Sequence, residues 1–299
     1  MSRLQLADLH RHLDGSMRPD TLRELSAEAG HPLETVPRFH AGMGLQAALS
    51  CFATTLAALQ TPAAVQRVAA EICADALAEG VHHLEIRFAP HLHQGAPLTD
   101  ILDAAIAGVD GRAGLILCGL YGDPPRRFEE LVELARNRPA VVGLDLAGGP
   151  LPTHRYGMRD YAAAYAEAAA IGLGRTVHAG EGRPAAEIID AIEVLGAQRI
   201  GHGLSILDEP AAVSLAIARG VTIEACPTSN WQVGILPSPQ AHPVHAWLER
   251  GLQVAICTDN TMLSQTTLPE ELRRVGAGPE TTTAATLTKM AWDAGFSRS

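Results

Sequence analysis

The strongest constraint on this chain is a unit that recurs eight times: a short apolar run, a turn, a helical stretch and a second turn. The runs read as strands at Leu4–His10, His83–Ala89, Gly114–Tyr121, Val141–Gly148, Arg175–Glu181, Arg199–Gly203, Val221–Pro227 and Gln253–Asp259. After the first gap their starts recur every ~22 to 34 residues, the length of one strand–helix unit. Most are apolar throughout rather than alternating, as parallel strands covered by helices are. Eight units in 299 residues, with no linker or composition break, predict a single (β/α)8 TIM-type barrel over residues 1–299. A doubly wound open sheet is the competing architecture. No Gly-rich phosphate loop follows the first strand, which favours the barrel.

The first gap departs from the rhythm. About 70 residues separate the first two strands, room for a helical insertion over about residues 19–80. One helix is expected at Pro19–Ala29, stopped by Gly30 and Pro32. Another is capped by Thr61, has Pro62 at its first position and ends at Gly80. It places Val65, Val68, Ile72, Ala76 and Leu77 on one face. In a barrel this insertion lies over the C-terminal mouth, where active sites sit. Its apolar stretch Leu45–Gln60 is either a lid or an ordinary packed helix.

Composition excludes several classes. With 23 Lys+Arg against 33 Asp+Glu, the net charge is 23 − 33 = −10, so the basic footprint of a nucleic-acid binder is missing. Aromatics are only 4%, and the core must come from Leu, Val, Ile and Ala. Five cysteines, an odd number without a CxxC pair, argue against a disulfide framework or zinc finger. No apolar run reaches the ~18 residues of a membrane span, and the N-terminus turns polar too early for a signal-peptide core. A soluble, cytoplasmic protein acting on a small molecule, with neither nucleic acid nor membrane as partner, is expected.

Chemistry clusters where the strands end. The first ends His10-Arg11-His12, and residues i and i+2 of a strand point the same way. The fifth ends His178-Ala179-Gly180-Glu181, the sixth contains Gly201-His202-Gly203, and the eighth ends Thr258-Asp259-Asn260. In a barrel these side chains gather at one mouth. Each fragment alone has a plain structural explanation: a core histidine, or an Asp capping a helix. Together they would bury several ionisable groups at a cost of several kcal/mol each unless something satisfied them. Imidazoles with a carboxylate suit zinc or another borderline first-row divalent ion. Of the other histidines, His31, His40, His82, His154 and His245 are expected to be solvated. His91, His93 and His242 are expected to be structural, though near the mouth.

The segments DLHRHLDGS (8–16), EIRFAP (85–90), GLDLAG (143–148), TVHAGE (176–181), RIGHG (199–203), CPTSN (226–230) and CTDN (257–260) resemble the adenosine deaminase family of the amidohydrolase superfamily, in the family's order. The resemblance covers about residues 4 to 296. It implies a (β/α)8 barrel with one divalent metal per subunit, usually zinc. It also implies hydrolytic deamination of a purine nucleoside, adenosine or 2′-deoxyadenosine, to the inosine product with release of ammonia. By motif, His10, His12, His178 and Asp259 would be metal ligands, and Glu181 would donate a proton to the purine ring. His202 would orient and help deprotonate the attacking water. Asp14 would hydrogen-bond the ribose, and Gly148 would meet ring N3 through its backbone. That chemistry is coherent: a metal lowers the pKa of its water from 15.7 to about 7, and protonation of the ring nitrogen lets C6 accept hydroxide.

Two departures matter. Many relatives carry a second Asp, contacting purine N7, where this chain has Asn260; an amide can donate to N7 without an elevated pKa. The C-terminal helix is short, which is expected to weaken barrel closure or expose an edge. Other substrates of the same chemistry, free adenine or aminodeoxyfutalosine, stay open, with the retained Asp14 favouring a ribosyl compound. A catalytically dead binding relative should have lost ligands or the acid, and none is lost. A metal-dependent phosphoesterase would need an Arg/Lys clamp beside the metal residues, and the sequence places none there.

Overall fold

The computed structural model describes residues 4–278 and 280–298. Eight parallel strands form one sheet in sequence order: β1 (Leu6–His12), β2 (Val81–Phe88), β3 (Gly114–Leu120), β4 (Val141–Ala147), β5 (Gly174–Ala179), β6 (Arg199–His202), β7 (Thr222–Ala225) and β8 (Gln253–Ile256). Every strand start lies within two residues of its sequence expectation. The ends differ more: β5 stops before Glu181 and β8 before Asp259, so both side chains stand on turns just above the ladder. Gly180, at φ +70°, makes the first of these turns. The barrel closes through a single bridge between Arg11 and Asp259. There His12 N–H donates to the Asp259 carbonyl at 2.7 Å, and Asp259 N–H to the His10 carbonyl at 2.8 Å. The closing seam thus runs through three of the expected site residues.

The insertion holds α1 (Pro19–Glu28), α2 (Leu45–Ala58) and α3 (Pro62–Glu79). Thr61 caps α3 by accepting from Ala64 N–H, and Gly80 closes it in the left-handed region. Val65, Val68, Ile72 and Ala76 are buried against β2 and the helix Leu98–Val109, but Leu77 is 58% exposed. It sits on the last turn of α3, one position beyond the packed stripe. Among the described residues no single helix is long and apolar enough to cross a membrane.

The interior of the barrel carries charge, where branched apolar layers are usual. Asp8, His10, Glu85, Arg87, Asp145, Thr176, His178, Arg199 and Glu224 are all at most 4% exposed. Apart from Asp8, which pairs with Arg11 and Thr258, they form one connected network across the strands.

The C-terminal segment does not leave an edge open. The helix Thr282–Ala294 packs on β1 and β8, and Trp292 donates to the Gln5 carbonyl at 2.8 Å. Phe296 then enters the floor of the barrel. The Arg199 guanidinium stacks 3.5 Å from its ring centre, and its N–H donates to Glu85 at 2.6 Å. A Cβ on Gly174 would lie 2.2 Å from that ring, so only glycine fits there. Phe296→Ala should cost about 1–3 kcal/mol in urea unfolding, less than the ~3–5 kcal/mol of a fully buried phenylalanine because this ring is half-buried. A loss under ~0.5 kcal/mol, the scale of ordinary surface changes, would show that the ring carries no part of barrel closure.

Candidate active site

Strand alternation brings His10 and His12 to the same side of β1, and β5 delivers His178 beside them. His12 Nε2 stands 3.3 Å from both His10 Nε2 and His178 Nε2. Asp259 Oδ1 approaches His10 Nε2 at 3.6 Å and His12 Nε2 at 3.4 Å. Two buried carboxylates fix the rings from behind. Glu224 takes His10 Nδ1 at 2.7 Å, and Asp145 takes His178 Nδ1 at 3.1 Å. With their protons on Nδ1, His10 and His178 turn bare Nε2 lone pairs toward His12 and a carboxylate oxygen. Such a set repels itself without a cation at its centre. The spacing matches too, since nitrogens about 2.05 Å from one tetrahedral ion are about 3.3 Å apart. The donor set fits a divalent metal.

Electrostatics agree with that arrangement. Burial, with Arg87 and the neighbouring imidazoles, holds His10 far below the ordinary histidine value, and burial with His178 does the same for His12. Both stay neutral, as metal binding requires. For His178 burial also acts downward, but the Asp145 carboxylate outweighs it and the net shift is upward. Burial raises Glu181 against the pull of His178 and Arg183, and burial lowers His202 to about 3. Glu181 Oε1 lies 3.7 Å from His202 Nδ1.

Two adjoining cavities open above these groups. The inner one, about 60 Å³, is bordered by His12, His178, Glu181, His202, Asp259 and Asn260. The outer, about 430 Å³, is bordered by Asp14, Leu56, Leu92, Leu120, Tyr121 and Leu151, among others. His12, Leu49, Phe52 and Gly148 border both. Helix α2 supplies Leu49 and Phe52 and therefore covers the mouth, with the Phe52 ring 6.3 Å from that of His12. Among the described residues no lysine or arginine lines either cavity.

The nine residues singled out from sequence thus converge. His10 lies beneath the inner cavity, fully buried. Asp14 sits in the outer one; its Oδ1 has no partner, and burial lifts its carboxyl to about 7. Asn260 Oδ1 is likewise buried and unpaired. It lies where a Cβ on Gly15 would be, 1.8 Å away, so Gly15 makes room for it. Gly148 adopts φ +75°, leaving backbone rather than side chain at the junction of the two cavities.

Sequence reasoning passed over Asp145, Glu224 and Arg87. For Asp145 and Glu224 the signal is an ion inside a largely apolar strand, and for Arg87 an opposite charge two residues after Glu85 on one strand. His154 does not behave as expected: it is half-buried and lines the outer cavity. His91, His93 and His242 line neither cavity. His93 Nδ1 bonds the Leu59 carbonyl at 2.6 Å, and the His242 ring packs on Trp247.

Known structures share this architecture. An adenine deaminase from Arthrobacter aurescens superposes with a TM-score of 0.85 at 24% identity, covering 98% of this chain and 94% of its own. An amidohydrolase from Burkholderia ambifaria with bound Zn gives 0.83 at 23% identity, covering 99% and 86%. In sequence, the adenosine deaminase of Enterococcus faecalis is 35% identical over 287 residues, which is 90% of this chain and 84% of the relative. The adenosine deaminase family profile matches residues 6–296. On that near-complete match and that identity, the chain belongs to the adenosine deaminase family of hydrolytic deaminases.

Proposed function

We propose that this protein converts adenosine and 2′-deoxyadenosine to inosine and 2′-deoxyinosine with release of ammonia, using one zinc ion per subunit. The observation that carries the proposal is the meeting of three imidazole Nε2 atoms and the Asp259 carboxylate beside a buried Glu181 whose carboxyl pKa is raised by burial. His10, His12, His178 and Asp259 would hold the ion. When bound, it supplies a Lewis acid that makes water nucleophilic near neutral pH.

The chain's own groups divide the remaining work. Burial shifts Glu181 toward its protonated form, and it gives that proton to the ring nitrogen beside C6. His202 orients the attacking water and stabilises the charge that develops on its oxygen. The base occupies the inner cavity, where Asn260 and the Gly148 backbone face it, and the ribose reaches Asp14 in the outer one. Phe52 and Leu49 exclude bulk water above the reacting atoms. The lack of a cation along both cavities favours an unphosphorylated substrate, and Asp14 with the roomy outer cavity favours a nucleoside over a free base.

The test is metal analysis combined with an ultraviolet assay on adenosine, 2′-deoxyadenosine, adenine and aminodeoxyfutalosine. Adenosine should have the highest kcat/KM, with about one zinc per chain. Turnover of adenine alone would reassign the substrate.

Asn260 reads N7 through its amide N–H. Asn260→Ala should leave metal content intact and lower kcat/KM for adenosine by roughly a few-fold to a hundred-fold, equivalent to about 0.5–3 kcal/mol. A 7-deaza analogue has already lost the contact, so the same substitution should cost it little. Equal losses on both compounds would show that Asn260 supports Asp259 and does not read N7.

A further inference from the structure

The CPTSN segment has no part in the chemistry above. It forms the short helix Pro227–Gln232 directly after β7, and Thr228, Ser229 and Asn230 on it are buried. The helix is tied down on its outer side. Thr228 N–H donates to Glu271 at 2.9 Å, and the Thr228 and Thr266 hydroxyls donate to the same buried carboxylate. The Asn230 carbonyl accepts from Ile235 and Leu236 at 3.1 and 3.3 Å.

Its inner side touches two residues in costly conformations. His202 has φ +68° and Asp259 φ +59°; only four described non-glycine residues have positive φ. The left-handed region is unfavourable for an L-residue and persists where surrounding structure enforces it. Consecutive residues of one anchored helix do so here. Ser229 lines the inner cavity together with Asp259 and works to lower the pKa of its carboxyl against the upward push of burial. The Asn230 amide Nδ2 donates to His202 Nδ1 at 3.0 Å. Glu181, at 3.7 Å from the same nitrogen, is too far for a hydrogen bond. Among the described residues Asn230 is therefore the side chain that bonds this ring.

With the Asn230 amide placed so that Nδ2 faces His202 Nδ1, an NH2 group donates, and His202 Nδ1 is then the acceptor and bears no proton. We propose that Asn230 is a positioning residue of the deaminase: its amide holds the His202 ring in its left-handed seat and keeps the ring proton on Nε2. In that tautomer His202 presents an N–H donor at Nε2, not a base. The oxygen adding to C6 gains negative charge along the reaction, and a fixed donor stabilises it without reorganisation. This refines the share in taking the water's proton that family resemblance implies for His202, and it rests on the deaminase reading of the site.

The test uses metal-loaded protein labelled with 15N-histidine, with the His202 resonances identified by their loss in His202→Gln. His202 Nδ1 should be pyridine-like and Nε2 pyrrole-like. Asn230→Asp keeps the shape but offers only acceptors, so the proton should move to Nδ1. With metal content and melting temperature unchanged, kcat on adenosine should fall roughly 10- to 100-fold while KM stays within about twofold, as when a catalytic imidazole is held in the wrong tautomer. Asn230→Ala, which removes the lock without reversing it, should show a mixed tautomer and a smaller fall in kcat. A wild-type proton on Nδ1, or kcat within about twofold of wild type in both variants, would overturn the proposal. Wild-type protein inert on adenosine would sink the deaminase reading instead, and the spectra would still decide the role of Asn230.

Discussion

Glu181→Gln should lower kcat by roughly 10²–10⁴ or more while leaving the metal and the fold in place. The substitution keeps size and hydrogen-bonding capacity but removes the transferable proton. Glu181 stands on the turn after β5, three residues past His178, and is 5% exposed. Burial raises its carboxyl above the ordinary value against the opposing pull of His178 and Arg183. The sign has two consequences. The acid form survives to higher pH than a surface glutamate, so wild-type activity should fall as pH rises through the Glu181 pKa; the variant should lack that alkaline limb. A raised carboxyl pKa also means that the folded state binds this proton more tightly than the unfolded state. Its stabilising contribution is complete below the unfolded-state pKa and is lost as pH rises through the folded one. At alkaline pH Glu181→Gln should therefore melt at the same temperature as wild type or higher. Near-normal kcat in the variant would remove Glu181 from the mechanism. A lower melting temperature at alkaline pH would show that its carboxylate is stabilised in the fold by partners that outweigh its desolvation.

The expectations for His10 and His12 show how far sequence alone reaches. Strand alternation and the order of strands were enough to place both imidazoles on one side and to bring them to the mouth with His178 and Asp259. Spacing along the chain does not say which residues meet across the barrel. Arg87, Asp145 and Glu224 lie on β2, β4 and β7, and their partnership depends on the tilt and stagger of a closed sheet. Asp145 and Glu224 each looked like an isolated charge in a largely apolar strand, and Arg87 like one of several polar residues on β2. Asn230 was invisible for a related reason: its role depends on the unusual backbone of His202, 28 residues away. The exposed Leu77 marks a different limit. A helical stripe gives the direction of the core, but the neighbours that would bury its last turn are set by the packing of α3. The segment around Phe296 reaches the barrel floor through a seat left by Gly174, a shape that no periodicity encodes.

Arg87 is where the metal site and the stability of the barrel meet. Its guanidinium is fully buried and binds Asp145 at 3.0 Å, Glu224 at 2.9 Å and the Leu9 carbonyl at 2.6 Å. Those two carboxylates hold the Nδ1 atoms of His178 and His10. One cation thus aligns two of the imidazoles without touching either. Arg87→Met preserves much of the packing but strands the buried carboxylates. Glu224 retains Arg199 at 2.8 Å, whereas among the described residues Asp145 keeps only His178 and the weak Cys118 thiol donor. Removing one partner of a buried ion pair costs about 3–5 kcal/mol, and loss of groups that orient metal ligands weakens metal binding about 10- to 100-fold. Acid sensitivity should change as well. Burial works to raise Asp145, but His178 and Arg87 together hold it below the ordinary carboxylate value. Its stabilising contribution is present above the unfolded-state pKa of about 3.9 and is lost as pH falls through the lower folded value. Without Arg87 the folded value moves up, so acid unfolding of the metal-free variant should begin at higher pH. Urea unfolding, zinc titration of the folded apoprotein and an acid-unfolding curve test these effects separately. Arg87→Lys should recover part of each, because an ammonium restores the charge but cannot reach both carboxylates in the guanidinium's planar fork. If Arg87→Met lost stability but bound zinc with wild-type affinity, Glu224 and Asp145 would orient His10 and His178 without help from Arg87, and its role would be confined to the barrel core.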